Sequence, residues 1–166
     1  MSDVIVIQQT FGACELARIR VLRYEILRKP HKMPPSSAAF PGDENESTLH
    51  LIALFQAELI GCSTLLIDDS DAIQLRGMAV ARHWQRRGIG HRMVETAQDI
   101  ATTQKKTLRC NARCSASGFY ERHGWVQSGS MFDVPGIGHH IVMNWTGKFE
   151  KGIGLVNKML KSGGSS

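Results

Sequence analysis

Residues 75–90, which read LRGMAVARHWQRRGIG, are the stretch that decides the fold. The apolar run at residues 75–80 predicts a strand, and apolar residues at helical spacing after Gly90 predict a helix. Gly88 and Gly90 let the backbone turn tightly at the start of that helix. Backbone N–H groups at a helix N-terminus attract anions, so the stretch predicts a strand, an anion-binding turn and a helix.

Positive charge is concentrated at this turn. Four arginines fall within its eleven-residue surroundings: Arg82, Arg86, Arg87 and Arg92. Guanidinium groups match the oxygens of phosphate, which makes a phosphate group the predicted ligand. An isolated GxG can equally be a plain connector with solvated arginines around it. The spacing is neither GxGxxG nor GxxxxGK[ST], which disfavours a Rossmann dinucleotide site and a P-loop.

Composition indicates one globular domain. The chain has 166 residues, of which 42% are hydrophobic and 21% charged, and its net charge is +5. We expect a folded domain at residues 1–146 and a flexible tail at residues 147–166, because the end is rich in Ser and Gly. No apolar run reaches the roughly 20 residues of a membrane helix, and the start lacks a signal-peptide layout. A cytoplasmic protein with no membrane partner is therefore predicted.

The four cysteines give no sign of a metal site. Only Cys110 and Cys114 are close in sequence, and a second pair of ligands at metal-binding spacing is missing. In a chain without an export signal, scattered cysteines indicate reduced thiols rather than a disulfide framework. We predict no bound metal.

Periodicity along the chain predicts an α/β (α+β) domain with a mixed central sheet flanked by helices. The predicted strands are residues 4–7, 49–55, 59–67, 73–80, 107–111, 125–130 and 140–145. The predicted helices are residues 13–29, 92–103 and a short one that begins with Ser115 as its N-cap and ends near Gly124. Pro30 ends the first helix and begins a long irregular loop. The central strand–helix–strand–helix part is expected to be parallel.

Residues 85–90, QRRGIG, resemble the Q/R-x-x-G-x-G/A signature of the GNAT-type acyl-CoA N-acyltransferases. Residues 111–125, NARCSASGFYERHGW, resemble the N-x-x-A-x-x-F-Y-x-x-x-G-F segment of the same family, with a small spacing difference and Trp125 in place of Phe. Residues 23–28 and 132–143 are similar to its ElaA-like or YjcF-like branch. The resemblance implies the GNAT fold and transfer of an acetyl group from acetyl-CoA to an amine by direct attack.

The resemblance also implies a set of coenzyme A contacts. The loop binds the pyrophosphate, and the strand before it carries a bulge that pairs with the pantetheine arm and polarises the thioester carbonyl. The implied contacts are Met78, Ala79, Val80, Gln85, Arg86, Arg87, Gly88, Ile89, Gly90, Asn111, Phe119 and Tyr120. Tyr120 matches the tyrosine that protonates the departing thiolate in many relatives. Alternatively, Phe119 and Tyr120 are simply an aromatic pair of the core.

The general base is left open among three histidines. Relatives often carry a Glu on the bulged strand, whereas this strand offers Gln74 and Arg76. An imidazole accepts a proton near neutral pH, which makes His50, His139 and His140 the candidates. Strand alternation sends His139 and His140 to opposite faces, and counting back from Met143 favours His140. Each of them could also be a histidine of the surface or the core edge.

The acceptor is expected to be a small-molecule or peptide amine. The loop at residues 30–47 is predicted to border its pocket, and Asp43, Glu44 and Glu46 could attract a cationic amine. One alternative is a non-catalytic acyl-CoA-binding or regulatory module on the same fold, favoured by the missing carboxylate. A nucleic-acid binder is the other, but no aromatic stacking platform lies between the basic residues. A homodimer is left open.

Overall fold

The computed structural model describes residues 4–147. Within these residues, seven strands form one mixed sheet, in the order β1-β2-β3-β4-β5-β7-β6. The strands are β1 (Val6–Phe11), β2 (Leu49–Phe55), β3 (Glu58–Leu66), β4 (Ala72–Val80), β5 (Thr107–Arg113), β6 (Val126–Val134) and β7 (Gly138–Trp145). Only β4 and β5 pair in parallel, and the other neighbours are antiparallel. The predicted mixed sheet with a parallel centre is confirmed, although β1 begins two residues later than expected and runs on to Phe11.

The helices are α1 (Leu16–Arg23), α2 (Ile89–Thr103) and α3 (Ser117–Arg122). The predicted helix at residues 13–29 is wrong as a single α-helix, because α1 gives way to a π-helical turn at Tyr24–Arg28 and a 3₁₀ turn at Lys29–His31. Pro30 lacks an N–H donor, which prevents regular α-helical bonding there. Between residues 4 and 147 no helix is long and apolar enough to cross a membrane.

The short helix α3 has a different cap from the one expected. Ala116 is its N-cap residue, so the prediction of Ser115 is wrong, and the Ser117 hydroxyl donates to the Cys114 carbonyl at 2.9 Å. Gly124, at φ +83°, follows the helix in the left-handed conformation that glycine adopts without strain. The predicted tail lies outside the described residues except for Gly147.

The two longer helices cover opposite faces of the sheet. On one face, α1 packs Ile19 and Leu22 against residues of β2, β3 and β4, which are Ile52, Cys62 and Ala79. On the other, α2 buries Met93 and Ala97 in the larger core cluster, with Leu51, Leu75 and Leu108. Burial of apolar area is the main favourable term for each contact. The C-terminal end of β4 therefore lies between the two helices.

A gap opens in the sheet between β4 and β5. Their parallel pairing is limited to residues 72–74 with residues 107–109. Further along, β4 bulges against β3: Arg76 pairs with Thr64 and Ala79 with Cys62, so two residues, Gly77 and Met78, stand opposite one. Gly77 has a φ of +62°, which favours glycine. The bulge bends β4 next to the place where the two strands part.

Candidate active site

A cavity of about 440 Å³ lies in the gap between β4 and β5. Its wall includes Met78 from β4, Asn111 from β5, Tyr120 from α3 and His140 from β7. These elements are distant in sequence, and the parting of the strands brings their side chains to one opening. The structure thus unites four of the residues that the sequence analysis placed at the site.

The predicted anion-binding turn lies at the start of α2. Gly88 is the N-cap, with a φ of +81°, and the Arg92 N–H donates to the Gly88 carbonyl at 3.0 Å. The N–H groups that precede Arg92 in the first turn have no partner within the helix, as at every helix N-terminus. A Cβ atom on Gly90 would lie 3.6 Å from Cζ of Phe119 and 3.9 Å from Sδ of Met78. The turn therefore adjoins Met78, at the edge of the cavity.

Several side chains of this loop are occupied in holding its shape. The Gln85 amide donates to the Val80 carbonyl at 2.9 Å. The Trp84 ring packs on Phe55 with centroids 4.7 Å apart, and the Arg87 guanidinium lies 4.9 Å from the Trp84 ring centroid. Trp84 thus anchors the turn to β2.

Two further residues of the predicted set can offer only their backbone. The side chains of Ala79 and Ile89 are buried in the cores under α1 and α2, respectively. Arg86, exposed and at φ +61°, and the Arg87 side chain remain the charged groups of the turn.

Tyr120 is buried at the wall of the cavity, with 8% of its surface exposed. Its ring meets Phe119 and Trp125 edge-on, with centroids 5.2 and 5.1 Å apart. Burial, reinforced by the neighbouring Cys110 thiol to which the phenol donates, raises the pKa of Tyr120 well above its usual value. The phenol therefore holds its proton throughout the neutral range, so it can donate a proton but cannot act as a base. No sequence signal identified Cys110 as its partner.

His140 and His139 have different surroundings on β7. His140 lines the cavity and is 8% exposed, and its Nδ1–H donates to the Gly138 carbonyl at 2.8 Å. Since a carbonyl cannot donate, the neutral ring carries its free lone pair on Nε2. The His139 side chain is 73% exposed and lies 3.6 Å from the Asp133 carboxylate, away from the cavity. His139 is therefore set aside as a candidate base, because strand alternation turns it to the other face.

His50 belongs to the protein interior. Both of its ring nitrogens are engaged, Nδ1 with the Thr64 hydroxyl at 2.8 Å and Nε2 with the Asp43 carbonyl at 3.0 Å. Burial is the main reason why the pKa of His50 lies below its usual value. The expectation that His50 could serve as the base is wrong, since it is fully buried and its nitrogens are already bonded.

The acidic residues of the loop do not reach the cavity. Asp43 is buried and paired with Arg23, at 2.6 and 3.1 Å, while Glu44 pairs with Arg20 at the surface at 3.1 Å. Glu46 is exposed and lies outside the cavity wall. The expected attraction of a cationic amine by these three residues is therefore wrong. The loop does border the cavity, but through Phe40.

Arginines take the place of the expected carboxylates. The cavity wall includes Arg28, Arg76 and Arg113 and no Asp or Glu among the described residues. Sequence reasoning missed them. Strand alternation could have found Arg113, since it lies two positions after Asn111 on β5 and so shares its face.

Comparisons with known proteins agree with this architecture. The family model described as an acetyltransferase (GNAT) domain matches residues 22–146. The uncharacterized N-acetyltransferase YitI of Bacillus subtilis (strain 168) is 32% identical over 129 residues, which cover 74% of this chain and 85% of YitI.

Two solved structures share the fold. Escherichia coli ElaA superposes with a TM-score of 0.76 at 17% identity, over 86% of this chain and 99% of that chain. An aminoglycoside 6′-N-acetyltransferase complexed with coenzyme A superposes with a TM-score of 0.66 at 16% identity, over 84% and 95%.

Proposed function

Because the chain belongs to the GNAT acetyltransferase family and is therefore an acyltransferase enzyme, we propose that it transfers an acetyl group from acetyl-CoA to an amine by direct attack. One observation carries the proposal. The gap between β4 and β5 joins the anion-binding turn of α2 to a cavity whose wall includes Tyr120 and His140.

In the proposed complex the pyrophosphate of acetyl-CoA lies at the turn formed by residues 86–90. The N–H groups of Gly88 to Gly90 and the guanidinium groups of Arg86 and Arg87 are the donors there. The pantetheine arm runs along residues 78–80 of β4, next to Phe119 and Asn111. The coenzyme A complex of the structurally similar aminoglycoside acetyltransferase supports this use of the fold.

The chemistry requires one bond to form and one to break. The amine nitrogen attacks the thioester carbonyl carbon, and backbone N–H groups of residues 78–80 stabilise the oxyanion. His140 Nε2 takes the proton that the nitrogen loses, directly or through water. When the carbon–sulfur bond breaks, the phenol of Tyr120 gives its proton to the departing thiolate.

A cytoplasmic location is part of the proposal. The four cysteines, all within residues 4–147, are free thiols, which persist in a reducing compartment. The functional unit is proposed to end near residue 146, where the family match ends.

A single experiment separates catalysis from the alternative, an acyl-CoA-binding module without turnover. The protein is incubated with acetyl-CoA and a panel of amines while free coenzyme A is followed, and the shift of the melting temperature by acetyl-CoA is measured in parallel. Amine-dependent release of coenzyme A supports the transferase. A clear melting shift without release for any amine supports the binding module, and absence of both contradicts the proposal.

A further inference from the structure

One part of the cavity wall, formed by Arg28, Arg76 and Arg113, carries positive charge that no carboxylate within residues 4–147 neutralises fully. The carboxylate of Asp43, which lies near these arginines, is bound by both terminal nitrogens of Arg23. Arg76 reaches the same carboxylate at 3.4 Å. Arg28 and Arg113 make no ion pair within residues 4–147.

The positive groups are held close together by shared contacts. The guanidinium groups of Arg23, Arg28 and Arg76 lie 4.3, 5.0 and 5.4 Å from the centroid of one ring, that of Phe40. Arg28 Nη1 and Arg113 Nη2 both donate to the Leu27 carbonyl, at 3.4 and 3.2 Å. Like charges are therefore gathered on one side of the cavity, although their repulsion opposes this arrangement.

The charges of these groups shift one another's pKa values. Burial is the main factor that lowers the pKa of Arg28, and the charges of Arg113 and Arg23 lower it further. Burial also lowers the pKa of His31, with added effects from Arg113, Arg28 and His140. Guanidinium groups stay charged despite such shifts, so an anion bound among them would relieve the repulsion.

The arginines lie beside the candidate base. Arg113 and His140 are register partners across β5 and β7, and partners in a register face the same side of the sheet. An anion held by Arg113 would therefore lie close to the imidazole that receives the proton of the amine.

The positive cluster, which consists of Arg23, Arg28, Arg76 and Arg113, is separate from the predicted anion-binding turn. It lies on the face of the sheet that α1 covers, because Arg28 follows α1 and Phe40 packs on Arg23 of α1. The turn at residues 86–90 begins α2, which packs on the opposite face. The phosphates of acetyl-CoA at the turn would leave the cluster unneutralised.

We propose that the acceptor is an amine that carries an oxyanion, a carboxylate or a phosphate, close to its nitrogen, and that Arg28 and Arg113 bind this oxyanion. The inference rests on the proposed acetyl transfer and narrows its substrate class. The planar fork of each arginine can donate two parallel hydrogen bonds to two oxygens of such a group. The enzyme then selects an amine by the oxyanion that the amine carries, and His140 takes the proton from the amine nitrogen.

The test compares matched acceptors. The standard amino acids are assayed against their amides, and phosphoethanolamine against ethanolamine, with rates referred to the unprotonated amine. In whichever pair contains the preferred acceptor, carboxylate or phosphate, kcat/KM of the anionic amine should exceed that of its neutral counterpart about 10-fold or more. The carboxylate and phosphate pairs identify which oxyanion is used. Equal or better use of the neutral members overturns the inference and leaves acetyl transfer standing.

Variants assign the effect to the cluster. Arg28→Gln and Arg113→Gln should each reduce the preference for the anionic acceptor about 10-fold or more and leave the melting shift by acetyl-CoA intact. Arg109→Gln is the matched control, since Arg109 is exposed on the same face of β5 and outside the cavity wall. If both variants slow anionic and neutral acceptors equally, the arginines have a structural role and the assignment fails.

A binding measurement keeps the inference independent of turnover. With coenzyme A saturating, N-acetylated amino acids and N-acetylphosphoethanolamine are compared with N-acetylated amino acid amides for their effect on the melting temperature. We expect stabilisation by an anionic member alone, lost in Arg113→Gln. If no amine is acetylated, transfer itself is contradicted while this result still decides the anion site. The same response to neutral and anionic members, or none to either, overturns the site.

Discussion

At the scale of the single residue, the phenol of Tyr120 is the proton donor of the proposed mechanism. Tyr120→Phe removes the hydroxyl and keeps the ring between Phe119 and Trp125. We expect turnover to fall about 10²-fold with the melting shift by acetyl-CoA preserved. Steady-state kinetics and thermal denaturation measure the two effects.

Tyr24→Phe is the matched control for this variant, because it removes the same hydroxyl from a tyrosine that does not line the cavity. It should leave the rate unchanged. A Tyr120→Phe rate within a factor of about three of the parent would remove the phenol from the mechanism.

A second residue-scale prediction concerns the two neighbouring histidines of β7. A general base accepts a proton only in its unprotonated form, so the rate should rise with pH. His140→Gln should flatten this rise, and His139→Gln, whose side chain is exposed, should leave it intact. The pH profile of kcat/KM is measured with acceptors of different basicity, because titration of the amine itself can produce a similar rise. A rise that survives in both variants would exclude both histidines as the base.

At the scale of the element, the N-terminal turn of α2 is the proposed site of the cofactor's pyrophosphate. Acetyl-CoA at about 100 times its Kd should raise the melting temperature by roughly 5 to 11 °C. Gly90→Glu should abolish the shift, because it puts a carboxylate at the N–H groups that are proposed to bind the phosphates. Gly90→Ala makes only ordinary contact with Phe119 and should retain the fold.

Thr103→Glu places the same charge at the other end of α2 and serves as the control. Its melting shift should equal that of the parent. A parental response in Gly90→Glu would locate the phosphate site elsewhere.

A second prediction at the scale of the element concerns the stability of the β4 bulge. A Cβ atom at Gly77 would lie 2.8 Å from Arg23 Nε and 3.0 Å from the Phe40 ring, at a φ of +62°. Gly77→Ala should lower the free energy of unfolding by more than the roughly 1–3 kcal/mol expected of left-handed strain alone. Gly136→Ala is matched to it, because Gly136 has a φ of +78° and open space around it. Chemical denaturation compares them, and equal losses would mean that close packing beneath the bulge contributes nothing.

At the scale of the whole molecule, buried ionisable groups couple stability to pH. Burial lowers the pKa of His50 below 6.5 more than the Asp43 carbonyl raises it. Between 6.5 and the lower pKa of the folded state, His50 binds a proton in the unfolded chain but not in the folded one. Its contribution to the free energy of unfolding is therefore complete above about pH 6.5 and is lost as the pH falls. The free energy of unfolding should therefore decrease from pH 7.5 to pH 5, and His50→Gln should reduce the slope. His139→Gln should keep the parental slope, whereas equal slopes in His50→Gln and the parent would contradict the prediction.

A second loss of stability is expected at lower pH. Burial disfavours the charged form of Asp43, but its hydrogen bonds from Arg23 and Phe40, together with nearby guanidinium charges, hold its pKa below 3.8. The contribution of Asp43 to the free energy of unfolding is fully present above its pKa in the unfolded chain. It disappears as the pH falls through its lower pKa in the folded protein. The same pH series, continued to pH 2, detects it as a further drop in the free energy of unfolding.

The sequence by itself determined the features that depend on near neighbours. The period of apolar residues gave strands β2 to β5 and helix α2 nearly to their ends, and the glycines at 88 and 90 located the anion-binding turn. The resemblance of two short segments was enough for the GNAT fold. Strand alternation separated His139 from His140, because side-chain direction along a strand is a local property.

Only the tertiary structure decided which charged groups meet. The sequence predicts that Asp43 and His50 are available to a substrate, yet the fold buries both beside Arg23 and Thr64. Arg113 donates to a carbonyl 86 positions earlier in the chain, and no local pattern encodes such a contact. The parting of β4 and β5 brings these distant segments to one cavity. The charge that lines this cavity is therefore a product of long-range packing, which the order of residues along the chain does not reveal.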